Sequence, residues 1–117
     1  MMKKVYICSP LRGDVAGNIQ KAKDYSRYAI KECGVIPITP HIYFTAFLDD
    51  TSPQERELGI QAGLELLRDC DEVWVFGDRL SEGMKQEIEY AHMNGIPVDH
   101  IDLEEFSQQQ MAFGALA

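Results

Sequence analysis

The sequence has few basic residues, and this shortage argues against one class of function. Its 117 residues carry 11 Lys and Arg against 19 Asp and Glu, which gives a formal net charge of −8 at pH 7. A protein that binds duplex nucleic acid needs a basic face to displace counterions, so we expect no duplex partner. A small anionic ligand is still allowed, because a pocket can be locally positive or can bind through backbone N–H groups.

Cysteine is also scarce. Cys8, Cys33 and Cys70 occur without a C-x-x-C pair, so the sequence predicts neither a disulfide framework nor a zinc site. Each cysteine lies in or beside an apolar segment, and we expect three buried, reduced thiols. The three histidines show no metal-ligand spacing, and we therefore expect no metal.

Long apolar runs and nucleotide fingerprints are missing as well. No stretch approaches the roughly 20 apolar residues that a membrane helix needs. The start, MMKKVYICSP, is basic and then apolar, but Pro10 and Arg12 interrupt it too early for a signal peptide. We therefore expect a cytoplasmic protein without membrane contact. Neither G-x-G-x-x-G nor G-x-x-x-x-G-K-[ST] occurs, and the sequence predicts no cofactor.

Four short apolar, β-branched runs predict strands: KKVYICS, GVIPITP, DEVWVFG and IPVDHI. Pro37 cannot donate a ladder hydrogen bond, so the second run is predicted to be an edge strand. The third run is apolar on both faces, which is typical of a central parallel strand.

Apolar residues at helical spacing predict three long helices between these strands, over about 14–34, 52–68 and 81–95. Ser52, followed by Pro53 and by Glu55 three positions later, forms a capping box. HIYFTAFLDDTSPQER is predicted to be a long loop that can include a helical turn. DLEEFSQQQMAFGALA is predicted to form a terminal helix and a frayed tail.

The alternation of strands and helices predicts one α/β domain, with a parallel sheet and helices on both of its faces. In such folds ligands bind beyond the carboxyl ends of the strands, at the topological switch point. That rule selects three segments as parts of a site: SPLRGD after the first strand, TPHIYF after the second and GDRLSEG after the third.

Two of these segments have a functional and a purely structural interpretation. Ser9, Arg12 and the glycines around them suit an anion at a helix N-terminus, but a tight turn with a surface arginine has the same composition. Ser81 either contributes to that site or is only a helix cap. Tyr6 and Tyr43 either line the cleft or belong to the core.

Glu87 and Glu89 lie two residues apart on the third long helix, so their side chains point to different faces. Ile88, Ala91 and Met93 are predicted to be core positions. Glu87 is then directed toward the first loop, whereas Glu89 faces solvent. Taken alone, Glu87 is either a cleft carboxylate or a solvated helix residue.

The segments VYICSPLRG, TPH and CDEVWVFGDRLSEGMKQEIEYA together resemble the nucleoside 2-deoxyribosyltransferase superfamily. Within it they are similar to the deoxynucleoside 5′-monophosphate N-glycosidase branch and to small phage and bacterial proteins. The resemblance extends from about Val5 to Val98. In the family signature a serine stands six residues before the catalytic glutamate, as Ser81 stands before Glu87. The resemblance implies that residues 1–117 form a flavodoxin- or Rossmann-like three-layer sandwich whose small, mostly parallel sheet has four to five strands.

The resemblance also implies functional roles. Glu87 is expected to attack the anomeric carbon and form a glycosyl-enzyme intermediate, with Tyr6 orienting it. Water as the acceptor gives hydrolysis, and a second base gives transfer. The family assembles as dimers or larger oligomers, so a homo-oligomer is expected. The residues expected to bind the nucleoside or nucleoside 5′-monophosphate are Ser9, Pro10, Leu11, Arg12, Gly13, His41, Tyr43, Asp78, Ser81 and Gly83.

The chain departs from the family at one position. Gly63 stands where family enzymes carry an aspartate that helps to protonate the leaving base, and Glu65 is expected to face elsewhere. The loss of a general acid commonly costs on the order of 10²–10⁴ in rate. Either His41 or Asp78 replaces that acid, or the protein binds and sequesters a nucleotide or an ADP-ribose-like signal without chemistry. A role in protein assembly is compatible with the acidic surface, but no motif indicates it.

Overall fold

The computed structural model describes residues 2–102. Within these residues, four strands form one sheet in which every neighbouring pair is parallel. The sheet confirms the predicted α/β class and gives the strand order β2-β1-β3-β4. The strands are β1 (Lys4–Cys8), β2 (Ile36–Ile38), β3 (Glu72–Val75) and β4 (Val98–His100).

The strand order places the predicted switch point between β1 and β3. The chain leaves β1 toward β2 on one side, and it returns to β3 on the other side. Pro37 lies in the edge strand β2, opposite Val5, as its missing N–H predicted. The segments that follow β1 and β3 therefore flank one crevice, where parallel α/β sheets bind ligands.

The helices form where local signals predicted them. Ser52 Oγ accepts a hydrogen bond from the Glu55 N–H at 3.4 Å, and Ser81 Oγ accepts one from the Met84 N–H at 3.3 Å. The long loop contains a short helix of five residues. The helices are α1 (Val15–Cys33), α2 (Pro40–Phe44), α3 (Pro53–Arg68) and α4 (Glu82–Met93).

Side-chain alternation along β1 divides the core into two layers. Val5 and Ile7 are fully buried in a cluster with Tyr25 of α1, whose ring stacks on Phe76 with centroids 4.2 Å apart. Tyr6 and Cys8 point to the opposite face, where Leu67 of α3 and Met84 of α4 cover them. The even-numbered side chains of β1 are thereby directed toward α3 and α4, and Tyr6 lines the cavity at the switch point.

Met93 and Cys33 were predicted to be buried, and both predictions were wrong. Met93 is 78% exposed, because it lies two residues after the buried Ala91 and therefore on the opposite side of α4. Cys33 is exposed, whereas Cys8 and Cys70 are buried as predicted. Cys33 is the last residue of α1, beyond the last buried position of that helix at Ala29.

The terminal helix predicted after Ile101 lies outside the described residues. Across residues 2–102, the helices all fall short of the length and apolar character that a bilayer crossing requires.

Loss of the α3 cap should destabilise the fold without changing its architecture. In Ser52→Ala the Glu55 N–H loses its side-chain acceptor, so the free energy of unfolding should fall by about 1 kcal/mol. Urea unfolding followed by circular dichroism measures the change. Ser52→Asn, which keeps a capping oxygen, should stay within a few tenths of a kcal/mol of the parent. Equal losses in both variants would contradict the capping role.

Candidate functional site

A cavity of about 370 Å³ opens at the switch point, between the end of β1 and the helices α2, α3 and α4. Its volume falls within the range of small-molecule sites, roughly 300–1,000 Å³. Segments far apart in the sequence meet here, as the rule for parallel sheets predicted. The predicted site residues that line it are Tyr6, Ser9, Leu11, Arg12, His41, Ser81, Gly83 and Glu87.

The other predicted site residues are not among the lining residues. Pro10 turns toward Gly77, where a Cβ would lie 3.7 Å from the proline Cδ. Gly13 forms an exposed turn with φ +94°. Asp78 is exposed, and its charge acts on Tyr25 on the α1 side of the sheet.

Tyr43 is directed away from the cavity. Its side chain is 64% exposed, and its ring packs edge-on against Phe44 and Phe47 with centroids 5.2 and 5.1 Å away. Phe44, one residue later, lines the cavity instead. A loop pattern does not fix which of two adjacent aromatic residues turns inward, because that depends on the helical phase of α2.

Glu87 is the carboxylate in the buried wall of the cavity. It lies on the α4 face that also carries the buried Met84 and Ala91. The Cys8 thiol donates a long hydrogen bond of 3.8 Å to Glu87 Oε1. The pKa of Glu87 is raised to about 7. Burial raises it, and the hydrogen bonds from Tyr6 and Cys8 offset part of that rise. Both protonation states are therefore accessible near neutral pH.

Tyr6 and Cys8 keep their protons beside this carboxylate. Tyr6 is 3% exposed, and burial together with the charge of Glu87 raises its pKa well above the ordinary value. Burial and Glu87 also raise the pKa of the Cys8 thiol. The two neighbours thus act as hydrogen-bond donors to Glu87 and not as acids.

Ser9 and His41 form a second polar pair in the cavity wall. Ser9 Oγ and His41 Nε2 are 3.0 Å apart. Burial lowers the pKa of His41 to about 4, so the imidazole is neutral at pH 7. Pro40 at the first position of α2 fixes the local backbone, and the next residue then reaches Ser9 at the end of β1.

The cavity also contains charged residues that sequence reasoning missed. Asp50 Oδ2 lies 3.7 Å from Arg12 Nε, so an ion pair joins the loop after β1 to the loop before α3. Glu55 and Arg56 line the cavity from the first turns of α3. One face of α3 carries Arg56, Gly59 and Gly63 at helical spacing. This spacing could have predicted from the sequence that the face forms a wall of the cavity.

Gly63, the position at which the sequence resemblance led us to look for an aspartate, lies in the wall of the cavity. A Cβ at this position would be 3.5 Å from the Tyr6 hydroxyl and 3.9 Å from Pro40 Cβ. A Cβ therefore fits here by ordinary contact, next to the Tyr6 hydroxyl. Glu65 is exposed and outside the lining, as predicted.

Residues 2–102 contain no group of three or more His, Cys, Asp or Glu side chains placed to hold an ion.

Comparison with solved structures shows a shared fold. The chain is similar to a 2-deoxyribosyltransferase from the psychrotolerant bacterium Bacillus psychrosaccharolyticus, a biocatalyst suited to the synthesis of antiviral and antitumoral nucleosides. The TM-score is 0.64 and the sequence identity 18%, over 86% of this chain and 78% of that chain. At this identity the likeness concerns the fold alone.

Comparison with curated proteins gave no match. A family model does match residues 3–101, and this range includes all four strands and all four helices. The chain therefore belongs to the family described as a domain of unknown function, DUF7768.

Proposed function

We propose that this protein cleaves or transfers the N-glycosidic bond of a nucleoside or nucleoside 5′-monophosphate, with Glu87 as the nucleophile. The observation that carries the proposal is the half-buried Glu87 carboxylate in the wall of a ligand-sized cavity, beside Tyr6 and Cys8. A carboxylate in such a position can trap an oxocarbenium-like sugar as a glycosyl ester, as in retaining glycosidases. The fold shared with a 2-deoxyribosyltransferase supports this class of reaction.

The remaining lining residues have proposed roles around Glu87. Tyr6 orients the carboxylate, and Ser9 and Arg12 hold the sugar or its 5′-phosphate. Ser81 and Gly83 open α4, whose first backbone N–H groups favour an oxygen-rich or anionic group. We also propose that residues 1–117 act as one domain and assemble as a homo-oligomer.

Departure of a neutral leaving base requires a proton. His41 lines the cavity, but its pKa of about 4 makes it a poor proton donor near pH 7. Asp78 lies outside the lining. Gly63 contributes no carboxylate, although a Cβ at this position would make only ordinary contacts beside Tyr6.

A second candidate function follows from the same observation at Gly63. The protein would bind and sequester a nucleotide or an ADP-ribose-like molecule without cleaving it. Incubation with a panel of nucleosides, 5′-monophosphates and NAD-like compounds distinguishes the two functions. Free base in solution supports the enzyme, whereas intact ligand recovered only after denaturation of the protein supports sequestration.

Removal of the nucleophile should abolish turnover and preserve the fold. Glu87→Gln keeps the size of the side chain but cannot form the glycosyl ester, so base release should fall on the order of 10³-fold or more. Chromatography of released base measures the effect on whichever panel compound is cleaved. Glu89→Gln, an exposed change on the same helix, should retain full activity. Wild-type turnover by Glu87→Gln would refute the mechanism.

The pKa of Glu87 predicts a defined dependence of stability on pH. Folding raises this pKa from 4.5 to about 7, so the folded state binds more protons across this window. Stability therefore falls as pH rises through it. At about 1.4 kcal/mol per pKa unit, the ionised carboxylate costs roughly 3 kcal/mol above pH 7.

The difference between wild type and Glu87→Gln isolates this effect. His41 has a lowered pKa and acts in the opposite direction, since it adds stability as pH rises from about 4 to 6.5. That contribution is common to both proteins and cancels in the difference. Urea unfolding at pH 4.5 and pH 8 should show Glu87→Gln gaining about 3 kcal/mol relative to wild type at the higher pH. A difference that stays constant with pH would show that Glu87 is not buried as described.

A further inference from the structure

We infer that the preferred substrate of this cavity is a nucleoside whose base already carries a positive charge, an N-alkylated pyridinium or purinium ring. The inference rests on the proposed function, because it names the leaving group of the bond that Glu87 attacks. A neutral base departs as an anion unless an acid protonates it. A cationic base departs as a neutral ring and needs no proton.

The described wall of the cavity offers no suitable proton to a leaving base. Tyr6 and Cys8 are buried beside Glu87, and both have pKa values raised by that environment. His41 is neutral near pH 7 because burial lowers its pKa to about 4. Gly63 leaves the wall next to the Tyr6 hydroxyl without an acid, although a Cβ fits there.

The other carboxylates in the wall already have cationic or N–H partners. Asp50 is paired with Arg12 at 3.7 Å, and Glu82 with Lys85 at 3.5 Å. Glu55 Oε1 accepts a hydrogen bond from a backbone N–H at 3.3 Å. In these contacts the three carboxylates act as hydrogen-bond acceptors or counter-ions.

The charge of the lining points to the same class of ligand. Four carboxylates, including Glu87, line the cavity together with Arg12 and Arg56, and Lys85 outside the lining pairs with Glu82, so the ionised carboxylates exceed the cations by one. Asp50 already engages Arg12. A cavity with this excess of negative charge attracts a cation and raises its local concentration.

Water is the only reactant that the reaction needs besides the nucleoside. Glu87 attacks C1′ and forms a glycosyl ester, while the electron pair of the C1′–N bond moves to the ring nitrogen and neutralises the base. Water then attacks C1′, the C1′–O bond to Glu87 breaks, and one proton passes to solvent. The products are a neutral base, the free sugar and the regenerated carboxylate.

The direct test uses the wild-type protein and nucleosides that differ in charge but hardly in shape. 7-Methylguanosine is compared with guanosine, each also as its 2′-deoxy form, and nicotinamide riboside is the pyridinium probe. Released base is measured by chromatography, and each rate is divided by the spontaneous rate, which removes the intrinsic lability of the cationic compounds.

The rate enhancement should be at least about 10²-fold larger for the cationic purine than for guanosine, because only the neutral ring needs the missing acid. If the rate enhancement for guanosine equals or exceeds that for 7-methylguanosine, and Glu87→Gln abolishes it, the inference is overturned and the proposed function is left intact. No base release from any compound would overturn both.

A second measurement tests the cause of the preference. Gly63→Asp places an acid beside Tyr6, and it should raise the enhancement for guanosine about 10-fold or more while that for 7-methylguanosine stays within a few-fold. Gly63→Ala adds a Cβ at the same place without an acid, so any change that it causes should be equal for both nucleosides and leave the ratio of their enhancements unaltered. Thermal melting verifies that each variant is folded. An equal gain for both nucleosides in folded Gly63→Asp would contradict the inference.

Discussion

The burial of one carboxylate between β1 and α4 is the constraint on which the candidate site depends. Glu87 shares its helix face with two core residues, so the packing that holds α4 against the sheet also removes Glu87 from water. Desolvation disfavours the charge, while the donors Tyr6 and Cys8 favour it. The outcome is a carboxylate whose ionisation falls near neutral pH, where a reactive group is most useful.

Much of the fold was predictable because its signals are local. The serine caps of α3 and α4, the proline in the edge strand and the two-sided apolar run of β3 each act within a few residues, and the structure bears each of them out. The ends of β1 and β3 followed from the alternation of strands and helices. Eight predicted site residues consequently line one cavity.

The parts that could not be predicted depend on distant contacts. Asp50 reaches the cavity because its loop folds back to Arg12, a contact between residues almost forty positions apart. The inward turn of Phe44 rather than Tyr43 depends on how a five-residue helix packs on α1 and α3. A sequence pattern fixes periodicity within an element, but it does not fix the phase of a short element against its neighbours.

Because side chains alternate along β1, four consecutive residues of this strand contribute to two different layers of the core. Val5 and Ile7 belong to the layer under α1, and Tyr6 and Cys8 belong to the layer that holds Glu87. Substitutions at Val5 and Ile7 should therefore disturb the layer under α1, whereas those at Tyr6 and Cys8 should disturb both the core and the surroundings of Glu87. Comparison of the two sets within one strand thus distinguishes damage to the core alone from damage that also reaches the cavity.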